Sequence, residues 1–181
     1  MGDEQLLSHT KEFFEKSVAI IFAPSKFDVF PSNPLQGHTV DVENLQRAFE
    51  DAGFYKVIVL SENHTKPTKE NLEKIMDELS PQLRLWFHIA THGLSLPDGE
   101  VVLTACDSKL GKNGYLSSSF ITAKEVDRWI AHHDFTIVSI LYNYQYIKRY
   151  RIYRYLIRLL SVDPRSLLLL GIKGWRGRDH I

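Results

Sequence analysis

The sequence predicts an α/β fold, a mostly parallel sheet of about five strands with helices on both faces. Short runs of Val, Ile and Leu recur along the chain, and amphipathic stretches of about a dozen residues separate them. That alternation indicates βαβ crossovers, which set strands side by side and parallel. Composition agrees: 181 residues, 44% hydrophobic and 24% charged, suit a globular domain that buries roughly 70% of its unfolded surface. The same near-average composition argues against a disordered tail, a collagenous repeat or a disulfide scaffold.

Taken in order, residues 4–16 carry apolar side chains at Leu6, Leu7, Phe13 and Phe14, the spacing of a short amphipathic helix. Residues 1–15 therefore read as an N-terminal helical arm and 16–181 as one domain. Ser17–Ala23 is a continuous apolar run stopped by Pro24, as expected of a strand buried on both faces. After a loop with Pro24, Pro31, Pro34 and Gly37, Thr39 is placed to cap a helix from Val40 to Ala52, with Asp41 and Glu43 in its first turn and Gly53 at its stop. Strand Lys56–Leu60 follows. Thr68 caps a second helix, Lys69–Leu79, and Pro81 separates it from strand Arg84–Ala90. Thr91-His92-Gly93 reads as a loop. Val101–Thr104 and the turn Gly111–Gly114 read as a surface hairpin, and Thr122-Ala-Lys-Glu125 is a capping box for a helix through about Ala131. Phe135–Leu141 is the fourth main strand, residues 145–160 a helix with Ile147, Tyr150, Tyr153, Ile157 and Leu160 on one stripe, and Leu167–Ile172 a fifth strand.

Several function classes fall away. Cys106 is the only cysteine, so an internal disulfide and a multi-cysteine zinc site are excluded, and a reducing compartment is compatible. The opening residues lack the basic-then-apolar layout of a secretory signal. Residues 167–172, the longest apolar run near the C-terminus, fall far short of the ~20 residues that cross a bilayer. A cytoplasmic protein is expected. His88 and His92 have an i, i+4 spacing, but on a strand they stand roughly 13 Å apart and cannot share a metal. His132-His133 closes a helix, where imidazolium favours the dipole. Gly111-Lys-Asn-Gly114 lacks the spacing of a phosphate loop, and the sequon Asn63-His-Thr65 is inert without secretion. No cofactor or metal is expected. The formal net charge of zero divides unevenly: residues 148–181 hold nine Lys/Arg against two Asp/Glu, residues 1–147 thirteen against twenty. Such asymmetry marks either an internal electrostatic match or a basic patch for a partner.

In open α/β sheets chemistry gathers outside the carboxyl ends of the strands. His92, beside Gly93 just past the third strand, is placed there as a general base, with Gly93 letting backbone approach a substrate and the loop leaving the imidazole partly wet. The alternative is a solvated loop histidine.

The succession from Val18-Ala-Ile-Ile through Leu35-Gln-Gly37 and Asp41-Val-Glu-Asn-Leu45 to Phe49-Glu-Asp-Ala-Gly-Phe54 resembles the opening half of the caspase and metacaspase superfamily. Ile89-Ala-Thr-His-Gly93 resembles that family's catalytic histidine motif, and Leu116–Ile130 lies where the family has the helix leading to its nucleophile strand. The resemblance covers about 120 to 130 residues and implies a three-layer caspase-like fold. It also implies a Cys–His dyad, in which histidine assists a thiolate attacking a peptide carbonyl and backbone N–H groups stabilise the oxyanion. The nucleophile is then expected some 50 residues beyond the histidine. Tyr144, 52 residues past His92, occupies that place, and a phenol with a reference pKa of about 10 is a poor nucleophile at neutral pH. Tyr142 stands where metacaspases carry an aspartate that helps bind a basic side chain of the substrate. From about residue 145 the chain diverges from the family pattern or is trimmed.

The resemblance thus implies a caspase-like domain that keeps the histidine and lacks the cysteine. It implies a regulator that binds a protein partner, either an active caspase-like protease or an adaptor, with a homodimer as a further arrangement. Two readings stay open beside it. One is an active cysteine endopeptidase whose nucleophile lies elsewhere, Cys106 included, although Cys106 falls only fourteen residues past His92 and reads as a small hydrophobe. The other is a small binding protein that uses Arg151, Arg154 and Arg158, on one face of a tyrosine-rich helix, to hold nucleic acid or an anionic membrane.

Overall fold

A computed structural model describes residues 11–29, 38–95, 101–111, 118–133 and 136–143. β1 (Ser17–Phe22) is buried along its whole length. Its residues alternate between two faces: Val18, Ile20 and Phe22 enter one core, Ala19 and Ile21 the other. This two-sided burial is why the segment reads as an unbroken apolar run. β1 pairs in parallel with β2 (Lys56–Leu60) on one edge and with β3 (Arg84–Ser95) on the other. β6 (Thr136–Asn143) lies parallel to β3 on the far side. The parallel body is therefore β2-β1-β3-β6. Past the reach of β1, the end of β3 turns antiparallel to β4 (Val101–Leu103), which pairs with the short β5 (Ile121–Thr122), making six strands among the described residues.

Helices cover both faces. α1, helical over 11–15, and α2 (His38–Asp51) supply Phe14, Val42 and Phe49 to one core, where they meet Phe54 and Trp86. α3 (Lys69–Glu78) and α4 (Ala123–Ala131) supply Leu72, Met76, Val126 and Trp129 to the other, against Leu85, Phe87 and Ile89 of β3. The expected three-layer α/β architecture is the one observed.

Local signals account for most helix ends. Gly53 has φ +83°, a conformation that glycine adopts without a Cβ penalty. Its N–H donates to the Glu50 carbonyl at 3.0 Å and that of Phe54 to Phe49 at 3.2 Å, while the rings of Phe49 and Phe54 meet at 4.9 Å. This is a Schellman stop with its hydrophobic contact. Thr68 caps α3 by accepting from the Asn71 N–H at 3.1 Å, and Thr122 and Glu125 form the expected capping box of α4. His132 is the C-cap of α4.

Two expectations need correction. α2 begins at His38, so Thr39 sits inside the first helical turn, and a cap requires non-helical backbone. β3 does not stop at Ala90 but continues to Ser95, because β4 and Thr104 supply partners for its backbone. Thr91-His92-Gly93 is strand, not loop. The turn Gly111–Gly114 falls mostly, and the helix 145–160 and the strand Leu167–Ile172 wholly, outside the described residues.

Candidate functional site

The segments that follow β1, β2 and β4 are joined by a lattice of backbone and side-chain bonds. After β1, the amides of Ser25 and Lys26 both donate to Glu62 Oε1, at 2.7 and 3.0 Å, which ties that loop to the turn following β2. In the same turn Ser61 Oγ and His64 Nδ1 lie 2.8 Å apart. The Asp28 N–H donates to the Cys106 carbonyl at 2.9 Å and the Cys106 N–H to Pro67 at 3.1 Å. The segment after β4 is thereby held against the segments after β1 and β2.

His92 lies beside this lattice, in the strand and only 1% exposed. Its ring centroid is 4.5 Å from that of buried Phe27. Its carbonyl accepts from both the N–H and the hydroxyl of Thr104, each at 3.0 Å. Thr91 completes a small polar network: its hydroxyl donates to the Thr104 carbonyl at 2.6 Å and stands 3.0 Å from the Thr104 hydroxyl. Both threonines are fully buried, so polar atoms that would be costly in a core are satisfied by one another. The partly wet imidazole expected of a loop is accordingly replaced by a buried one. Gly93, expected to leave backbone open to a substrate, is buried and paired with Leu103 in the β3–β4 ladder.

The parallel register of β3 and β6 sets Thr91 opposite Tyr142 and His92 opposite Asn143. The two strand ends that the sequence argument brings together are therefore neighbours in the sheet. Tyr144, the next residue, lies outside the described residues.

Cys106 is half-buried and carries a free thiol. Burial, and then the adjacent Asp107 carboxylate, push its thiol up to about 11; Glu62 and Asp28 act in the same direction and Lys66 against it. A thiol in that setting is protonated at neutral pH, whereas nucleophilic cysteines sit in electropositive surroundings that lower the value. Among the described residues no group of three or more His, Cys, Asp or Glu side chains is arranged to hold a metal ion, and no helix is long and apolar enough to cross a membrane.

Sequence reasoning missed Phe27, Glu62 and the Thr91–Thr104 pair. Phe27 stands in a proline-flanked loop with no periodicity, and the two threonines are thirteen residues apart, so no local signal links either to His92.

Residues 16–130, well over half of the chain, match the family model for the caspase domain. No curated protein matches the chain.

Proposed function

The chain belongs to the caspase-domain family, and on that premise we propose that it is a non-catalytic member acting through protein contacts. Its partner is an active caspase-like protease or an adaptor, and a reducing, cytoplasmic setting suits its lone free thiol. The observation that carries this reading is the register of β3 and β6. With His92 opposite Asn143, a nucleophile following β6 would come from Tyr142-Asn143-Tyr144-Gln145-Tyr146, which contains no sulfur.

Acyl transfer to a thiol needs a thiolate, a base within hydrogen-bond reach and oxyanion donors. The raised Cys106 thiol supports the same conclusion, since its thiolate is scarce at neutral pH. The enclosure of His92 against Phe27 supports a structural use of the imidazole. A fold retained without its chemistry still offers a shaped surface, and function then lies in what that surface binds.

The test has two arms. Purified protein is incubated with fluorogenic peptides carrying Asp, Arg or Lys at the cleavage position, and separately mixed with an active caspase-like protease whose turnover is followed. The reading expects no peptide cleavage above a His92→Ala control and a saturable change in the protease's rate. Cleavage that disappears with His92→Ala would establish an endopeptidase instead.

A further inference from the structure

Lys69 is the first residue of α3, where a cation meets the positive end of the helix dipole. Its side chain is nevertheless only 13% exposed. The Nζ donates to the carbonyls of Ser118 and Phe120, each at 2.9 Å, and to Glu125 Oε1 at 2.6 Å, which uses all three of its protons. Glu73 Oε1 stands 3.9 Å away. The acceptors lie 49 to 56 residues along the chain, so this position serves a tertiary contact at the expense of the local dipole.

What the ammonium holds is the entry to β5 and the start of α4. Glu125 is at once the partner of Lys69 and the capping-box carboxylate, its Oε2 accepting from the Thr122 N–H at 2.8 Å and the Thr122 hydroxyl at 3.0 Å. Beneath lie Phe120, Ile121, Val126 and Trp129, all buried. α4 packs through Val126 and Trp129, with Trp129 edge-on to Phe87 at 6.3 Å, and the approach to β5 is also held at Ser119, whose carbonyl accepts from Ser108 Oγ at 3.0 Å and whose Oγ accepts from the Lys109 N–H at 2.9 Å.

We propose that Lys69 is an ionic latch on a separately opening unit, residues 118–131, so that loss of its ammonium contacts lets β5 and α4 lift from the sheet while β1, β2 and the first half of β3 stay closed. This goes beyond the binding reading above and does not depend on whether the chain is catalytic. Charge-assisted bonds to backbone carbonyls and a carboxylate are the strong class of hydrogen bond, and here three of them converge on one atom that joins α3 to the approach to β5 and to the first turn of α4. Proteins open locally in such contiguous units, with less free energy than global unfolding.

Hydrogen exchange followed by mass spectrometry on the full chain tests this. Lys69→Met keeps the aliphatic stem and removes the charge. Amides of 118–131 should then exchange about ten-fold faster or more, and those of β1 by less than about two-fold; Glu125→Gln, which weakens the same cluster from the other side, should accelerate the same amides. Equal acceleration in β1 and in 118–131, or no acceleration in 118–131, would overturn the proposal. Should Lys69→Met fail to fold, the native protein decides the matter in a denaturant series: 118–131 must open at lower denaturant than β1. If both exchange only through one global transition, there is no separate unit.

Discussion

Replacing Thr104 by valine removes one hydroxyl from a fully buried site and nearly preserves its shape. The lost interactions are the bond to the His92 carbonyl at 3.0 Å and the 3.0 Å contact with the Thr91 hydroxyl. Two contacts persist, since the Thr104 N–H still reaches the His92 carbonyl and the Thr91 hydroxyl still donates to the Thr104 carbonyl at 2.6 Å. No donor is stranded, so the cost is that of about one net hydrogen bond, about 1 kcal/mol. In a domain of this size that corresponds to a fall in Tm of about 2–4 °C. Urea denaturation gives the free energy from the shift in midpoint at constant slope, and hydrogen exchange should show the loss concentrated at residues 91–93 and 103–105. A neutral or stabilising effect would mean that the hydroxyl does not hold the His92 backbone. A loss above about 3 kcal/mol, of the size seen when a core cavity opens, would mean that the site collapses rather than loosens.

Other perturbations follow from the same contacts. Gly53→Ala should cost about 1 kcal/mol, because its φ of +83° strains a residue with a Cβ while nothing lies within 4 Å of the added atom; an unchanged denaturation midpoint would contradict the Schellman stop. Alkylation of Cys106 by iodoacetamide at pH 8 should be about ten-fold slower or more in the folded than in the denatured chain, since a thiol moved from 9.0 up to about 11 holds roughly 100-fold less thiolate and only part of that is recovered through higher nucleophilicity. Folded and denatured chains reacting alike would refute the raised thiol. The same shift places its stabilising effect below pH 9, to be lost as pH rises toward about 11. At Glu125 burial raises the carboxyl, yet the Lys69 hydrogen bond, the Thr122 bonds and the Lys69 charge outweigh it and hold the group below its ordinary 4.5. Its contribution is therefore present above 4.5 and lost as pH falls through the lowered value, and Glu125→Gln should flatten the acid limb of a stability–pH curve; an unaltered limb would contradict the pairing with Lys69.

The legible parts of the fold were those governed by local rules. The two-sided burial of β1 shows as an uninterrupted apolar run, the stop of α2 as Gly53, and the starts of α3 and α4 as Thr68 and the Thr122–Glu125 box, each a matter of a few consecutive residues. The misreadings arose where distant partners override local preference. Thr91-His92-Gly93 looks like a loop because it is polar and contains glycine, but β4 and the Thr104 hydroxyl, the latter twelve residues beyond His92, satisfy its polar groups and extend the strand. The same holds for the Phe27 ring on His92 and for Lys69, whose location at a helix N-terminus makes sense only when its acceptors near residues 118–125 are in place. Adjacency of the β3 and β6 ends was implied by the family resemblance rather than by any local signal, and the observed register makes it specific to His92 and Asn143.

The proposal that the chain lacks a working nucleophile is put to the test by intact-mass analysis after incubation with peptidyl ketone electrophiles bearing Asp, Arg or Lys next to the reactive carbon. No adduct is expected on the folded chain beyond the slow, His92-independent labelling of Cys106 that a simple alkylating agent also gives. A stoichiometric adduct formed within minutes and abolished by His92→Ala would contradict it and restore the chain to the proteases.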